Sequence, residues 1–223
     1  MRFCILIPVF NGGTTLEPLI KEIKTFAGDI IIVNDGSTDE SALIAQAANV
    51  TIISHSQNRG KGAALKTGFE YILKNTAFEY VVIIDADGQH SPRSIPHFIE
   101  KLQETNADII IGNRMEDVSA MPFIRRLTNR TMSFLISKIA GQNIPDSQCG
   151  YRLLSRRVLE EIDLETSNYD TESELLFKAA EKKIRIDSVK VPTIYQKEES
   201  KINPLKDTVR FVNLLMRMLI LKK

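Results

Sequence analysis

The sequence predicts an α/β fold in which a mostly parallel central sheet is flanked by helices. In the first half of the 223-residue chain, short apolar runs alternate with segments of helical spacing, and this rhythm is typical of βαβ units. A continuous apolar run such as residues 80–84 is typical of a strand buried on both faces. The predicted strands cover residues 3–9, 29–33, 50–53, 80–84 and 108–111.

Helix starts are predicted at three places in the first half. Thr14 with Glu17, and Ser37 with Glu40, fit the capping box, in which a hydroxyl and a carboxylate bond free backbone N–H groups. Ser91 precedes Pro92, which fits a capping residue followed by proline at the first helical position.

The alternation ends after Gly112. Residues 113–148 contain a basic stretch that we interpret as helical, and residues 184–194 form an extended run that could add antiparallel strands. No repeat and no low-complexity linker divides the chain. We therefore expect a single domain over residues 1–223.

The composition excludes several classes of protein. A net charge of +1 gives no indication of a nucleic-acid partner. Cys4 and Cys149 form neither a disulfide framework nor a metal-ligand cluster, so a reduced, cytoplasmic setting is expected. The run at residues 3–9 is too short for a signal peptide, and no run reaches the ~18 to 20 apolar residues of a transmembrane helix.

Two carboxylates, Asp85 and Asp87, directly follow the run at residues 80–84. The carboxyl ends of parallel strands line the crevice where open α/β sheets bind ligands. Carboxylate oxygens there suit Mg²⁺ or Mn²⁺ holding a diphosphate. A strand-end turn is the alternative, because Asp-Gly is a common turn pair.

Polar turns also follow the other predicted strands of the first half, at residues 11–12, 34–37 and 58–62. Any one of them could be only a turn. Because parallel strands end at the same edge of a sheet, we expect these turns to share one crevice with Asp85 and Asp87.

Five motifs, read in order, resemble those of one enzyme family. They lie at residues 8–11, 34–39, 58–62, 85–89 and 146–152. Together they are similar to a family 2 inverting glycosyltransferase of the GT-A (Rossmann-like) fold, in the branch of the dolichyl- or polyprenyl-phosphate mannosyl- and glucosyltransferases. The resemblance implies a hexose donor carrying GDP or UDP, a divalent metal and a polyprenyl-phosphate acceptor. It also divides the chain into a nucleotide-sugar-binding half (1–112), an acceptor half (113–203) and a C-terminal amphipathic helix (204–223).

The resemblance assigns the donor site residue by residue. It implies nucleotide-sugar-binding roles for Pro8, Phe10, Asn11, Asp35, Lys61, Asp85, Ala86, Asp87 and Lys201. Asp87 and Gln89 would hold Mg²⁺ or Mn²⁺, and Asp85 would contact the metal or the ribose. Asp87 is also a catalytic candidate. Asp35 would accept a hydrogen bond from the base. Lys61 would face a phosphate from a turn that opens a helix, with solvent exposure as the alternative.

The acceptor side is implied in the same way. The candidate acceptor-binding residues are Arg114, Arg125, Arg126, Asn129, Arg130, Asp146 and Arg152. Guanidinium groups suit a phosphate, although a solvated basic face is the alternative. Asn129 stands where the lipid-phosphate branch often has serine. Arg126 is a catalytic candidate, as are Asp170 and Glu172, which resemble the acidic motif of hydroxyl-acceptor members but could equally be carboxylates at a helix N-terminus.

Residues 204–223 mix apolar and basic side chains and are too short and too charged to span a bilayer. An amphipathic helix on an anionic membrane surface fits, with a peripheral location at the inner face of the membrane. Core packing or a homodimer contact is the alternative. Two other functions remain open: transfer to a sugar hydroxyl, and a non-catalytic membrane-surface scaffold. A dinucleotide dehydrogenase is excluded because no Gly-x-Gly-x-x-Gly follows the first strand.

Overall fold

In the described part of the chain, seven strands form one sheet, and six of them are parallel to one another. The structure, a computed structural model, describes residues 1–118, 121–167, 170–192 and 194. The strands are β1 (Phe3–Val9), β2 (Ile30–Asn34), β3 (Thr51–Ser54), β4 (Tyr80–Ile83), β5 (Ile109–Asn113), β6 (Arg152–Ser155) and β7 (Ile186–Lys190). Their order across the sheet is β3-β2-β1-β4-β6-β5-β7. Only β6 runs antiparallel to its neighbours, β4 and β5. The predicted mostly parallel α/β sheet is confirmed.

Helices cover the sheet. They are α1 (Gly13–Ile23), α2 (Ser41–Ala47), α3 (Lys61–Asn75), α4 (Ile95–Thr105), α5 (Phe123–Ala140), α6 (Arg156–Glu161) and α7 (Thr171–Glu181), and a 3₁₀ turn (Pro92–Ser94) precedes α4. Helix α4 shows the pattern: it buries Ile95, Phe98 and Leu102, which lie three and four residues apart on one face. Among the described residues, no helix is both long and apolar enough to cross a membrane.

Both predicted capping boxes are wrong. Helix α1 begins at Gly13 and α2 begins at Ser41, and neither N-cap residue, Gly12 or Glu40, makes a side-chain cap hydrogen bond. The polar side chains instead join the two loops, since Ser37 Oγ accepts from the Asn11 N–H at 3.0 Å and Asp39 Oδ2 accepts from the Gly13 N–H at 2.8 Å. The Ser91 cap is confirmed, because its Oγ accepts from the Arg93 N–H at 3.3 Å.

The strands of the second half differ from the prediction. Within the run at residues 184–194, β7 (Ile186–Lys190) pairs parallel with β5. The antiparallel strand is β6, and no strand was predicted at these residues. It is only four residues long, and all four are buried because the strand lies between β4 and β5.

The topology brings both halves of the chain to one edge of the sheet. Strands β1, β2 and β4 are parallel neighbours, so their carboxyl ends lie together. Because β6 is antiparallel, its first residue, Arg152, pairs with Ile83 and Ile111 near the ends of β4 and β5. The loop before β6 and the turn after β5 therefore face the same edge as Asp85 and Asp87.

Candidate active site

The loops after β1 and β2 bond to each other. Asn11 has a φ of 52°, in the left-handed region that asparagine tolerates better than most residues. Its Oδ1 accepts from the Thr38 N–H at 2.8 Å. Pro8 is buried within β1, whereas Phe10 is 40% exposed where the strand ends. These contacts fix the two loops to each other at the edge where the Phe10 side chain is exposed.

Asp35 is buried and holds the loop before α3. Its Oδ1 accepts from the Arg59 N–H at 2.9 Å and lies 2.6 Å from His55 Nδ1, while its Oδ2 accepts from the Gly60 N–H at 2.8 Å. These bonds use three of the roughly four acceptor positions of a carboxylate. The structure thus gives Asp35 a loop-holding role, and recognition of a base by its remaining acceptor position stays a prediction.

Lys61 forms an ion triad with one carboxylate from each half of the chain. Its Nζ lies 2.7 Å from Asp85 Oδ1 and 2.8 Å from Glu172 Oε1. Burial lowers the pKa of Lys61, but the charges and hydrogen bonds of the two carboxylates outweigh it, so the pKa is raised. Lys61 is therefore a permanent positive charge in the crevice.

Gly150 lets the loop before β6 approach this triad. A Cβ at this position would lie 2.5 Å from Asp85 Oδ2 and 2.7 Å from Lys61 Nζ, which is closer than non-bonded atoms approach one another. Only glycine allows the second half of the chain to close on the triad without displacing it.

Asp87 is the exposed carboxylate of the pair. Its Oδ1 accepts from the Gln89 N–H at 2.9 Å. Desolvation in the crevice and the negative charge of Asp85 together raise the pKa of Asp87. A divalent cation would relieve this repulsion, and carboxylate and amide oxygens are ligands that Mg²⁺ and Mn²⁺ accept.

No group of three His, Cys, Asp or Glu side chains suited to a metal occurs in the described part of the chain. The donor set of Asp85, Asp87 and Gln89 still fits Mg²⁺ or Mn²⁺, because such ions in nucleotide sites take several ligands from substrate phosphates and water.

A second cluster lies at the ends of β5 and of the loop before β6. Arg114 binds Asp146 in a bidentate pair, with Nε to Oδ2 at 2.7 Å and Nη2 to Oδ1 at 2.9 Å. Asn129 from α5 donates its Nδ2 to the same Oδ1 at 2.7 Å. Burial raises the pKa of Asp146, but the Arg114 charge and these bonds hold it below the usual range.

The two clusters are electrostatically coupled. Burial raises the pKa of Asp85, and Lys61 and His90 more than offset that effect. The Arg114 guanidinium adds to the lowering at Asp85 and also acts on Asp87. Arg114 and the two carboxylates after β4 are therefore close enough for their charges to interact.

Arg152 is a correction to the expected acceptor set. Its guanidinium is buried and donates at 2.8 Å to the backbone carbonyls of Cys149, Ser147 and Glu172. With its nitrogens committed to these carbonyls, Arg152 holds the loop before β6 against α7 and does not face an acceptor.

The three arginines of α5 do not form a single cluster. Arg126 is half-buried, with its Cζ 5.5 Å from the centre of the Phe123 ring, and Arg130 is exposed. At about 100° per residue, Arg126 and Arg130 lie about 40° apart around the helix, whereas Arg125 lies about 100° from Arg126 on the other side. Arg126 thus lies about 60° and Arg130 about 100° from buried Asn129, both in the same direction around the helix.

The two acidic catalytic candidates lie at the start of α7. Asp170 precedes the helix without capping it, and its Oδ1 is buried with no hydrogen-bond partner among the described residues. Glu172 Oε2 is likewise buried and unbonded within the described ranges, while Oε1 pairs with Lys61.

The remaining predicted site residues are Ala86 and Lys201. Ala86 is buried, and its carbonyl accepts from Thr15 Oγ1 at 2.5 Å. Lys201 and residues 204–223 lie outside the described residues.

Three residues of the site had no assigned role in the sequence analysis: His55, His90 and Gly150. His90 is buried beside Asp85, and burial lowers its pKa to about 4, so it is neutral near pH 7. His55 lies 20 residues from its partner Asp35, and no local pattern links them. Gly150 and His90 stand within or beside recognised motifs, and that position was the available signal.

The fold and the crevice define a GT-A glycosyltransferase. The chain belongs to glycosyl transferase family 2, whose family model, "Glycosyl transferase family 2", matches residues 4–163. The predicted family, fold class and enzyme class are confirmed.

Two relatives and one solved structure illustrate the similarity. A UDP-N-acetylglucosamine–dolichyl-phosphate N-acetylglucosaminyltransferase of Methanococcus voltae is 29% identical, over 86% of this chain and 85% of the relative. A polyprenol monophosphomannose synthase of Mycolicibacterium smegmatis is 26% identical, over 89% of this chain and 78% of the relative. Glucosyl-3-phosphoglycerate synthase of Mycobacterium tuberculosis matches with a TM-score of 0.78 at 19% identity, over 97% of this chain and 80% of that chain. That synthase has also been solved with Mn²⁺, UDP-glucose and phosphoglyceric acid.

Proposed function

We propose that this enzyme transfers a hexose, with inversion, from a GDP- or UDP-sugar to a polyprenyl phosphate, with Mg²⁺ or Mn²⁺ as cofactor. One observation carries the proposal: Lys61 pairs with Asp85 and Glu172, and Arg114, which binds Asp146, acts electrostatically on Asp85 and Asp87. Carboxylates and an ammonium group suit a metal-bound diphosphate, and an arginine-rich side suits an anionic acceptor.

The donor assignment is supported by the charges of the crevice. Inverting transfer develops positive charge at the anomeric carbon and negative charge on the leaving diphosphate. A divalent cation held by Asp85, Asp87 and Gln89 would offset the negative charge. Lys61 is held between Asp85 and Glu172, so its ammonium is fixed at the same place without reorganisation.

The acceptor assignment is supported by the names of two relatives, which refer to dolichyl phosphate and polyprenol. A phosphate acceptor is already anionic near neutral pH and hardly needs a general base. Because Glu172 Oε1 pairs with Lys61, Glu172 has a positioning role in this account. Arg126 and Arg130 would receive the acceptor phosphate from the solvent side of α5.

Transfer to a sugar hydroxyl is the second candidate function. It is favoured by the buried, unbonded oxygens of Asp170 and Glu172 among the described residues, since a hydroxyl acceptor requires a base to remove its proton. A non-catalytic scaffold is disfavoured, because Asp85 and Asp87 are both present and grouped with Lys61.

Two variants distinguish these acceptors. With radiolabelled donor and polyprenyl phosphate, Arg126→Ala should lose most transfer while donor hydrolysis persists, and Glu172→Gln should retain transfer. An inactive Glu172→Gln beside an active Arg126→Ala would overturn the lipid-phosphate assignment in favour of a hydroxyl acceptor.

The donor nucleotide can be identified by thermal shift with UDP and GDP, each with Mn²⁺ or EDTA. A ligand at 100 times its dissociation constant adds about 2.7 kcal/mol of stability, which is readily measured. A shift with one nucleotide and Mn²⁺ identifies the donor class, and no shift with either contradicts the proposal.

A further inference from the structure

Helix α5 carries large apolar side chains on its solvent side. Phe123 is 67% exposed, Ile124 69%, Leu127 56% and Phe134 61%. Single exposed apolar residues are ordinary on a protein surface, but four on one helix form a patch.

Helical geometry places these residues on one face. At about 100° per residue, Arg130, Phe123, Phe134, Leu127, Lys138 and Ile124 fall within an arc of about 120°. We call these six residues the outer face of α5. The buried residues Asn129, Met132, Ser133 and Ile136 occupy the opposite side. One side of α5 is therefore buried in the core, and the opposite side presents exposed apolar side chains to solvent.

The outer face carries two basic residues, Arg130 and Lys138, and no acidic residue. Helix α5 contains four basic residues and no acidic residue, and residues 118–145 contain no acidic residue at all. Two of the basic groups lie over its aromatic rings: Arg126 Cζ is 5.5 Å from the Phe123 ring centre, and Lys138 Nζ is 5.7 Å from that of Phe134. Apolar side chains with cations beside them are typical of helices that lie in the headgroup region of a bilayer.

We propose that the outer face of α5 docks on the surface of an anionic lipid bilayer. The aromatic and aliphatic side chains enter the headgroup region, and Arg130 and Lys138 contact lipid phosphates. The inference rests in part on the proposed function, because a polyprenyl phosphate resides in a bilayer. It assigns membrane contact to a helix of the catalytic fold, independently of residues 204–223.

Charge distinguishes lipid from the other possible occupants. Residues 204–223 contain five basic residues and one acidic residue, so packing them on α5 would bring like charges together. Two copies of α5 meeting face to face would repel for the same reason. An anionic bilayer is complementary, since each basic side chain near such a surface contributes attraction.

The position of the helix fits the proposed acceptor. Asn129 joins α5 to Asp146 and through it to Arg114. A bilayer on the outer face would therefore lie one helix diameter, about 10 Å, from the proposed acceptor side of the crevice. A lipid phosphate could reach Arg130 and Arg126 without leaving the headgroup region.

The test is sedimentation of the full chain with vesicles of phosphatidylcholine alone or with about 30% phosphatidylglycerol. The variant is Leu127→Ser with Phe134→Ser. The matched control is Leu43→Ser with Phe26→Ser, which removes one leucine and one phenylalanine exposed elsewhere on the surface. The vesicles contain no polyprenyl phosphate, so the measurement does not depend on transfer.

The parent and the control should bind the anionic vesicles, and the α5 variant should bind roughly tenfold more weakly or worse. Lys138→Glu keeps the apolar side chains and should weaken binding to anionic vesicles only. If the double variant unfolds, Lys138→Glu still tests whether the outer face binds lipid. Equal vesicle binding by the parent, the α5 variant and Lys138→Glu would overturn the proposal. Absence of vesicle binding by the parent would overturn it as well. If the parent is a dimer that does not bind vesicles, and the α5 variant is a monomer, the outer face is instead a contact with a second copy of the chain.

Discussion

Asp87 and Asp146 lie at the same edge of the sheet but differ in burial and in their hydrogen-bond partners. Asp87 is exposed, accepts one backbone hydrogen bond from Gln89, and has a pKa raised by desolvation and by Asp85. Asp146 is fully buried, binds Arg114 and Asn129, and has a lowered pKa. The proposed donor side thus keeps an exposed carboxylate that could bind a divalent cation, whereas the carboxylate of the proposed acceptor side is paired within the protein.

The largest expected effect is on stability at Asp146. Asp146→Ala removes the carboxylate that makes the bidentate pair with Arg114, and removing one member of a buried ion pair costs about 3 to 5 kcal/mol. Asp87→Ala should change the free energy of unfolding by no more than about 0.5 kcal/mol, as is usual for surface changes. Urea unfolding of both variants measures the difference, and equal losses would remove the distinction between the two aspartates.

The next effect is at the contact between the two halves. Gly150→Ala places a methyl group on the Lys61–Asp85 pair and should weaken Mn²⁺-dependent nucleotide binding roughly tenfold or more. Gly28→Ala is the control, since a Cβ there meets nothing within 4 Å. If titration calorimetry finds both variants equal to the parent, the approach of Gly150 is not part of the site.

The ends of the parallel strands could be predicted from the sequence, whereas contacts between distant residues could not. Asp85, Asp87 and Asn11 were placed correctly on one edge because strand ends follow from apolar periodicity and parallel strands end together. The four-residue β6 has no periodicity to detect, so its direction was missed. Arg152 was expected to bind a ligand because arginine suits phosphate, but its partners are carbonyls of residues 147, 149 and 172. Burial of this kind depends on contacts distant in sequence.

Lys61 provides a more moderate test. Lys61→Met removes the cation that neutralises Asp85, so free protein should bind Mn²⁺ several-fold more tightly and nucleotide several-fold more weakly. Lys74→Met, on the same helix but exposed, is the control. Electron paramagnetic resonance of Mn²⁺ reports the first quantity without nucleotide. Unchanged Mn²⁺ affinity in Lys61→Met would show that the triad does not control the charge of the site.

The smallest effect concerns pH. Because its pKa is raised, native Asp87 holds a proton more tightly than the unfolded chain does, and its ionised form therefore costs stability at pH values above both pKa values. Asp87→Asn should raise the melting temperature slightly at pH 7, by less than about 1 kcal/mol of stability because the side chain is exposed. The gain should vanish below about pH 3.9, where the aspartate is protonated in both states. A gain independent of pH would point to a cause other than charge.

Calorimetric titration of the donor nucleotide, with Mn²⁺ or with EDTA, into the parent and Asp87→Asn tests most directly whether the charge left on Asp87 serves a ligand. Strong binding is expected only in the parent with Mn²⁺, and weak binding of equal strength in the other three cases. Binding that is equally strong with EDTA, or equally strong in Asp87→Asn with Mn²⁺, would contradict it.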